Sequence, residues 1–127
     1  MAQLSNIVIN DGTKDVTYVP YQIDSGNIAR LRTNTDLAIA SSELSVNARN
    51  GSTNRNVTLK ITLPTVVDET VNGVVSPRVT RTRTVSVDLS LPKTTTSAER
   101  LAARVMLSNL LKNTLVASVI DNNDGLY

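Results

Sequence analysis

The feature that most constrains this chain is strict two-residue alternation. In VTLKITLP, residues 57–64, Val57, Leu59, Ile61 and Leu63 are apolar, while Thr58, Lys60 and Thr62 are polar. That period marks a strand with one buried face and one wet face. Glu43 to Arg49 repeats it, with Leu44, Val46 and Ala48 set against Glu43, Ser45, Asn47 and Arg49. The intervening NGSTNR is a reversal of small polar residues, so two neighbouring strands should present polar side chains on one side. In Arg78 to Leu91, Val79, Val85, Val87, Leu89 and Leu91 share one parity, and Thr80, Thr82, Thr84, Ser86, Asp88 and Ser90 share the other. Arg81 and Arg83 break the apolar parity, either as an edge protected by charge or as contacts to a partner.

Other segments complete a strand-rich order. Residues 5–20 read as a hairpin, because SNIVI and VTYV flank Asn10-Asp11-Gly12 and Asp-Gly is a strong turn signal. Pro20 should close its second strand. NIARLR, residues 27–32, is a short strand with Ile28, Arg30 and Arg32 on one side and Ala29 and Leu31 on the other. Pro64 should end the strand that begins at Val57. TVVDETVNGVVSP, residues 65–77, should then be a long excursion with brief strand pairing, turning at Asn72-Gly73.

The period changes at Thr96. Thr96-Ser97-Ala98-Glu99 has the spacing of a capping box, which predicts a helix over 97–112. Ala98, Leu101, Ala102, Val105, Met106 and Leu110 give it a broad apolar side, and Leu107 and Leu111 fall on its back. LVASVI predicts a short second helix. Strands followed by helices make an α+β domain, here one domain over 1–127 with a hairpin at 1–20, a main sheet at 27–92 and helices at 97–121. A helix apolar on more than one side needs more than one packing partner. Two chains should therefore complete one another's core, making a homodimer whose sheet is covered by helices on one face and open on the other.

Composition removes several chemistries. The chain has 127 residues with no Cys and no His, which excludes disulfides, thiolate or imidazole metal sites and histidine-dependent triads. No apolar run reaches the length of a membrane span, and MAQLSN lacks the features of a leader, so a soluble, unexported chain is expected. Net charge is +2, but residues 30–104 hold eleven basic and six acidic side chains. Nucleic acid suits that balance, and so does a solvated surface. Asp68 and Glu69 have no evident partner for cation binding or acid-base work. No catalytic residue, metal site or cofactor is expected.

NRNVTLKITLP, the loop ETVNGVVSP, the long strand ending in DLSLP, the capped helix and the ending NDGLY together resemble the coat proteins of the small single-stranded RNA bacteriophages, the leviviruses. The likeness is strongest over residues 43–127, with the NDG hairpin and NIARL in the right order before it. What the resemblance implies is a capsid protein whose interlocked dimers share one continuous antiparallel sheet, the helices of each chain clasping the other, and build an icosahedral shell with the open sheet facing the genome. An RNA stem-loop bound there represses translation and marks the genome for packaging. Such a protein is made in the bacterial host cytoplasm and ends in the virion, without a membrane partner. The alternative is a β-rich nucleic-acid or protein binding module that forms no shell.

By position, the resemblance implies RNA contacts at Thr58 and Lys60, with Ser45, Asn47 and Arg49 on the matching parity of the strand before and Thr62 beside them. Relatives often carry a base-stacking Tyr and a polar residue where this chain has Thr84 and Ser86, and Glu43 sits where relatives can carry a basic residue. On this reading no aromatic lies on the RNA face. Asp68, Glu69, Thr70, Val71, Asn72, Gly73, Val74, Val75, Ser76 and Pro77 correspond to the assembly loop at the symmetry axes. Relatives can tie that loop with cysteines, and this chain has none. Leu101, Val105, Leu107 and Leu111 are the expected dimer contacts.

Overall fold

Alternation of apolar and polar residues produces six strands here, in the order β1 (Ile7–Asn10), β2 (Asp15–Ile23), β3 (Ile28–Thr33), β4 (Glu43–Asn50), β5 (Asn54–Val71) and β6 (Val74–Pro92). Two helices follow, α1 (Ser97–Lys112) and α2 (Thr114–Asp121). The computed structural model describes residues 4–24, 28–33, 40–123 and 125. The start of the expected 27–32 strand and part of the NDGLY ending fall outside them. Residues 1–90 and 91–127 form two compact units.

In the first unit each strand lies beside the next in sequence, giving sheet order β1-β2-β3-β4-β5-β6. The pairings from β1 to β5 are antiparallel. Register aligns Leu31 with Leu44 and Leu44 with Ile61; the next apolar row is Ala29, Val46 and Leu59. Tyr18, Leu31 and Leu44 are buried, at 4%, 0% and 5% exposure, and Leu4, Ile7, Ile9, Val16, Ala29, Val46 and Ile61 pack around them. A one-residue slip would send this whole set to the opposite face.

Two prolines expected to end strands, Pro20 and Pro64, do not. β2 continues through Pro20 to Ile23. Its pairing with β3 shifts between Pro20 and Gln22, so the extra residue, Tyr21, is absorbed as an irregularity. β5 continues through Pro64 to Val71. The last β4 partner of β5 is Thr62, so Pro64 falls where that side of the strand becomes free and a missing N–H is tolerated. Pro77 lies in β6, the last strand of the sheet. The expected excursion over 65–77 is thus one long hairpin. Asn72 and Gly73 take φ of 52° and 79° at its tip, the left-handed pair that a two-residue Asn-Gly hairpin turn requires.

The second unit follows its sequence signals. Thr96 accepts a hydrogen bond from the Glu99 N–H at 3.3 Å, capping α1. Asn113 serves both helices: its N–H donates to Leu110 O, and its Oδ1 accepts from the Leu115 N–H at 2.9 Å. Neither helix buries a residue. Leu101, Val105, Met106, Leu110, Leu111, Leu115 and Ile120 are all exposed.

Two expectations follow. Leu31→Ala removes the one fully buried large side chain among the described residues and should lower unfolding free energy by about 2–5 kcal/mol, read from denaturant melts. At the first hairpin, Asp11 Oδ1 accepts from the Thr13 N–H, the Thr13 hydroxyl and the Lys14 N–H, each at 2.9 Å. Led by the Lys14 and Thr13 backbone bonds, these lower its pKa from 3.8 to about 2. A depressed carboxylate stabilises the turn above its unfolded value and loses that contribution as pH falls through the folded one. The Asp11 carboxyl should titrate near about 2 by NMR, and a midpoint at 3.8 would mean the bonds do not persist in solution.

Candidate nucleic-acid interface

The register that buries the apolar rows also builds the other face. Ser45 of β4 lies opposite Lys60 of β5, Asn47 opposite Thr58, Glu43 opposite Thr62 and Arg49 opposite Asn56. Six of the expected contact residues, Ser45, Asn47, Arg49, Thr58, Lys60 and Thr62, therefore form one patch on two adjacent strands. Thr58 donates its hydroxyl hydrogen to Asp88 Oδ1 at 2.8 Å, which places Asp88 of β6 on the same side. Two-residue alternation along β6 puts Ser86 and Thr84 on that side as well, both exposed.

Charge and hydrogen-bonding capacity are uneven across the patch. Lys60 and Arg49 are exposed, and neither is among the ion pairs of the described residues, which are Arg30 with Asp24 at 2.6 Å and Arg78 with Glu69 at 3.1 Å. Because its only hydroxyl hydrogen is committed to Asp88, Thr58 can only accept from a ligand. Asn47 Oδ1 is buried and has no hydrogen-bond partner. A buried unpaired acceptor costs about 1–3 kcal/mol, and a donor arriving over the patch would remove that cost. A small cavity of about 90 Å³ lies among Arg30, Glu43, Leu44, Ser45, Lys60 and Thr62.

Residues outside the expected set extend this face. In β3, Arg30 lies opposite Ser45 and Arg32 opposite Glu43, so their parity with the β4 patch was readable from NIARLR. Tyr21 is a correction: the face does hold an aromatic. Its hydroxyl donates to Glu43, and the Arg32 guanidinium lies 4.7 Å from its ring centroid. The hydrogen bond to Glu43 is the main reason the Tyr21 hydroxyl pKa rises above its ordinary value, with burial and the Glu43 charge adding to it. The Asp24 hydrogen bond and then its charge raise that of Arg30. Tyr21 escaped the sequence reading because Pro20 was expected to end β2, whereas the strand runs on to Ile23 and alternation from Val19, opposite Arg32, carries Tyr21 to this face.

The remaining expected sites lie elsewhere. Asp68 to Pro77 form the tip of the β5–β6 hairpin, where the Arg78–Glu69 pair ties the two arms and Val71, Val74 and Val75 are exposed. In the helical unit, Leu101, Val105 and Leu111 are exposed and Leu107 is half-buried. Arg83 lines a cavity on the apolar side with Ile61 and Leu63. Among the described residues no cluster of acidic side chains could hold a metal ion.

Comparison with known proteins gives a consistent answer. The chain is 36% identical over 132 residues to the capsid protein of Pseudomonas phage PRR1, covering 99% of this chain and 100% of that protein. The fold matches the virus-like particle of Beihai levi-like virus 21 with TM-score 0.89 and 27% identity, covering 99% of each chain. It matches the capsid protein of bacteriophage GA with TM-score 0.82 and 27% identity, again covering 99% of each. A family profile described as levivirus coat protein matches residues 2–127, and with this order of strands and helices the chain belongs to the levivirus coat protein family.

Proposed function

We propose that this capsid protein works as a homodimer whose joined sheets turn the Ser45, Asn47, Arg49, Thr58, Lys60 and Thr62 face toward single-stranded RNA. The observation that carries this reading is the patch itself, where two cations outside any ion pair flank a buried acceptor without a partner, all among the described residues. Lys60 and Arg49 hold phosphate, while Ser45, Asn47 and Thr58 meet base edges. Thr84 and Ser86 extend the polar surface along β6. A stem-loop seated there would both repress translation and mark the genome for packaging. The work is binding and enclosure rather than catalysis. Synthesis would take place in the bacterial host cytoplasm.

The pairing follows from uncovered apolar surface. Among the described residues seventeen large hydrophobic side chains are exposed, seven of them on α1 and α2, and helices apolar on an uncovered side need a partner to pack against. Leu101, Val105, Leu107 and Leu111 of α1 are proposed to cover the apolar sheet face of the partner, making two chains one core. At the hairpin tip, residues 68–77 would meet neighbouring dimers, with the Asn72–Gly73 turn free to differ between positions.

Purified protein should form uniform spherical particles containing host RNA by electron microscopy; a soluble monomer would oppose the reading. The unfolding midpoint of unassembled protein should rise with concentration, as expected when folding is linked to association. Lys60→Ala should weaken RNA binding and reduce the slope of log affinity against log salt by about one for each phosphate that Lys60 neutralises. An unchanged slope would place Lys60 away from phosphate.

A further inference from the structure

The Arg32 corner of the polar face is more organised than a solvated arginine requires. Tyr21 lies beneath the guanidinium at 4.7 Å, and the ring is tethered through its hydroxyl to Glu43. Arg32 and Glu43 are themselves cross-strand partners. Three side chains from β2, β3 and β4 thus hold one another. Arg32 is not in an ion pair among the described residues, whereas its neighbour Arg30 is committed to Asp24.

Space for a ligand adjoins this corner. A cavity of about 320 Å³ is lined by Arg32, Ser41, Glu43, Thr62, Pro64, Val79 and Thr82. It shares Glu43 and Thr62 with the small cavity beside Lys60, so the two adjoin. A guanidinium plane is a recognised stacking surface for unpaired bases, and its resting on an aromatic ring removes the freedom that stacking would otherwise cost. Glu43 repels phosphate but accepts N–H donors. Adenine, cytosine and guanine carry an exocyclic amino group, and uracil does not.

We propose that Arg32, supported by Tyr21, stacks on one unpaired base of single-stranded RNA seated in this cavity, with the amino edge of the base on Glu43. This rests on the RNA-facing reading of the sheet and adds a second nucleotide site beyond the Lys60 patch. Arg32 touches the base; Tyr21 is a positioning residue.

The test uses the full chain with single-stranded oligoadenylate and oligouridylate, measuring affinity across a salt series. Arg32→Lys keeps the charge and loses the planar surface. It should weaken oligoadenylate binding by at least about fivefold, the lower end for removal of one base stack, while leaving the salt slope unchanged. Tyr21→Leu should act in the same direction, which keeps the question open to an answer if either variant fails to fold. Wild-type protein should favour oligoadenylate over oligouridylate, and Glu43→Gln should narrow the difference.

Arg32→Lys binding as well as wild type would reduce Arg32 to a charge and overturn the inference. If Lys60→Ala weakens binding in that same case, the RNA-facing reading survives without it. Wild-type protein that binds neither oligonucleotide at any salt would defeat both.

Discussion

The cross-strand row of Leu31, Leu44 and Ile61, closed by Tyr18, is the constraint on which the rest depends. A strand has only two faces, so fixing which residues are buried also fixes which stand opposite. With Leu44 facing Ile61, Ser45 must face Lys60 and Asn47 must face Thr58. The candidate RNA surface is thus the complement of the core. A mutation that disturbed the apolar register would disorganise the binding patch without touching any residue in it.

That dependence explains what could be read from the residues alone. Alternation in Glu43 to Arg49 and Val57 to Leu63 revealed both strands, their shared polar side and six members of the patch, because all of these follow from parity. Thr96 and Asn72-Gly73 were equally readable, since a cap and a left-handed turn are local demands on residue type. The prolines misled because their cost depends on whether a neighbouring strand needs the missing N–H. Pro64 lies just past the last β4 pair, and that is a fact of tertiary pairing. Tyr21 was hidden by the expectation that Pro20 closes β2: once the strand runs on to Ile23, alternation from Val19, opposite Arg32, sets Tyr21 on the polar face.

The core is small for the chain that surrounds it. Three side chains are buried in the described sheet, and the helices bury none. Burying one large aliphatic side chain contributes about 1.5–3 kcal/mol, whereas ordering each residue costs about 1–2 kcal/mol in backbone entropy alone. So few buried groups cannot offset that cost, and a protein of a family that builds capsids has an evident source of the missing burial in its own copies. On the proposed pairing, self-association is part of folding, and the exposed leucines of α1 are the part of the core that a second copy completes.

The polar side obeys the opposite economy. Where the apolar side needs another copy, the polar side is largely satisfied: Thr58 on Asp88, Arg30 on Asp24, Tyr21 on Glu43. Among the described residues, what stays unsatisfied is narrow, namely Lys60, Arg49 and the buried Asn47 Oδ1. Internal bonds hold most of the surface in place and leave a few groups directed outward, so a ligand need not order the site it enters. Such preorganisation raises affinity without enlarging the contact. It also localises specificity, because a group already bonded within the sheet offers a ligand only the capacity it has left. Thr58 can only accept, Glu43 can accept beside its Tyr21 bond, and Lys60 can only donate. On the proposed RNA-facing reading, the hydrogen bonds that stabilise the sheet therefore determine which atoms an RNA must present to it.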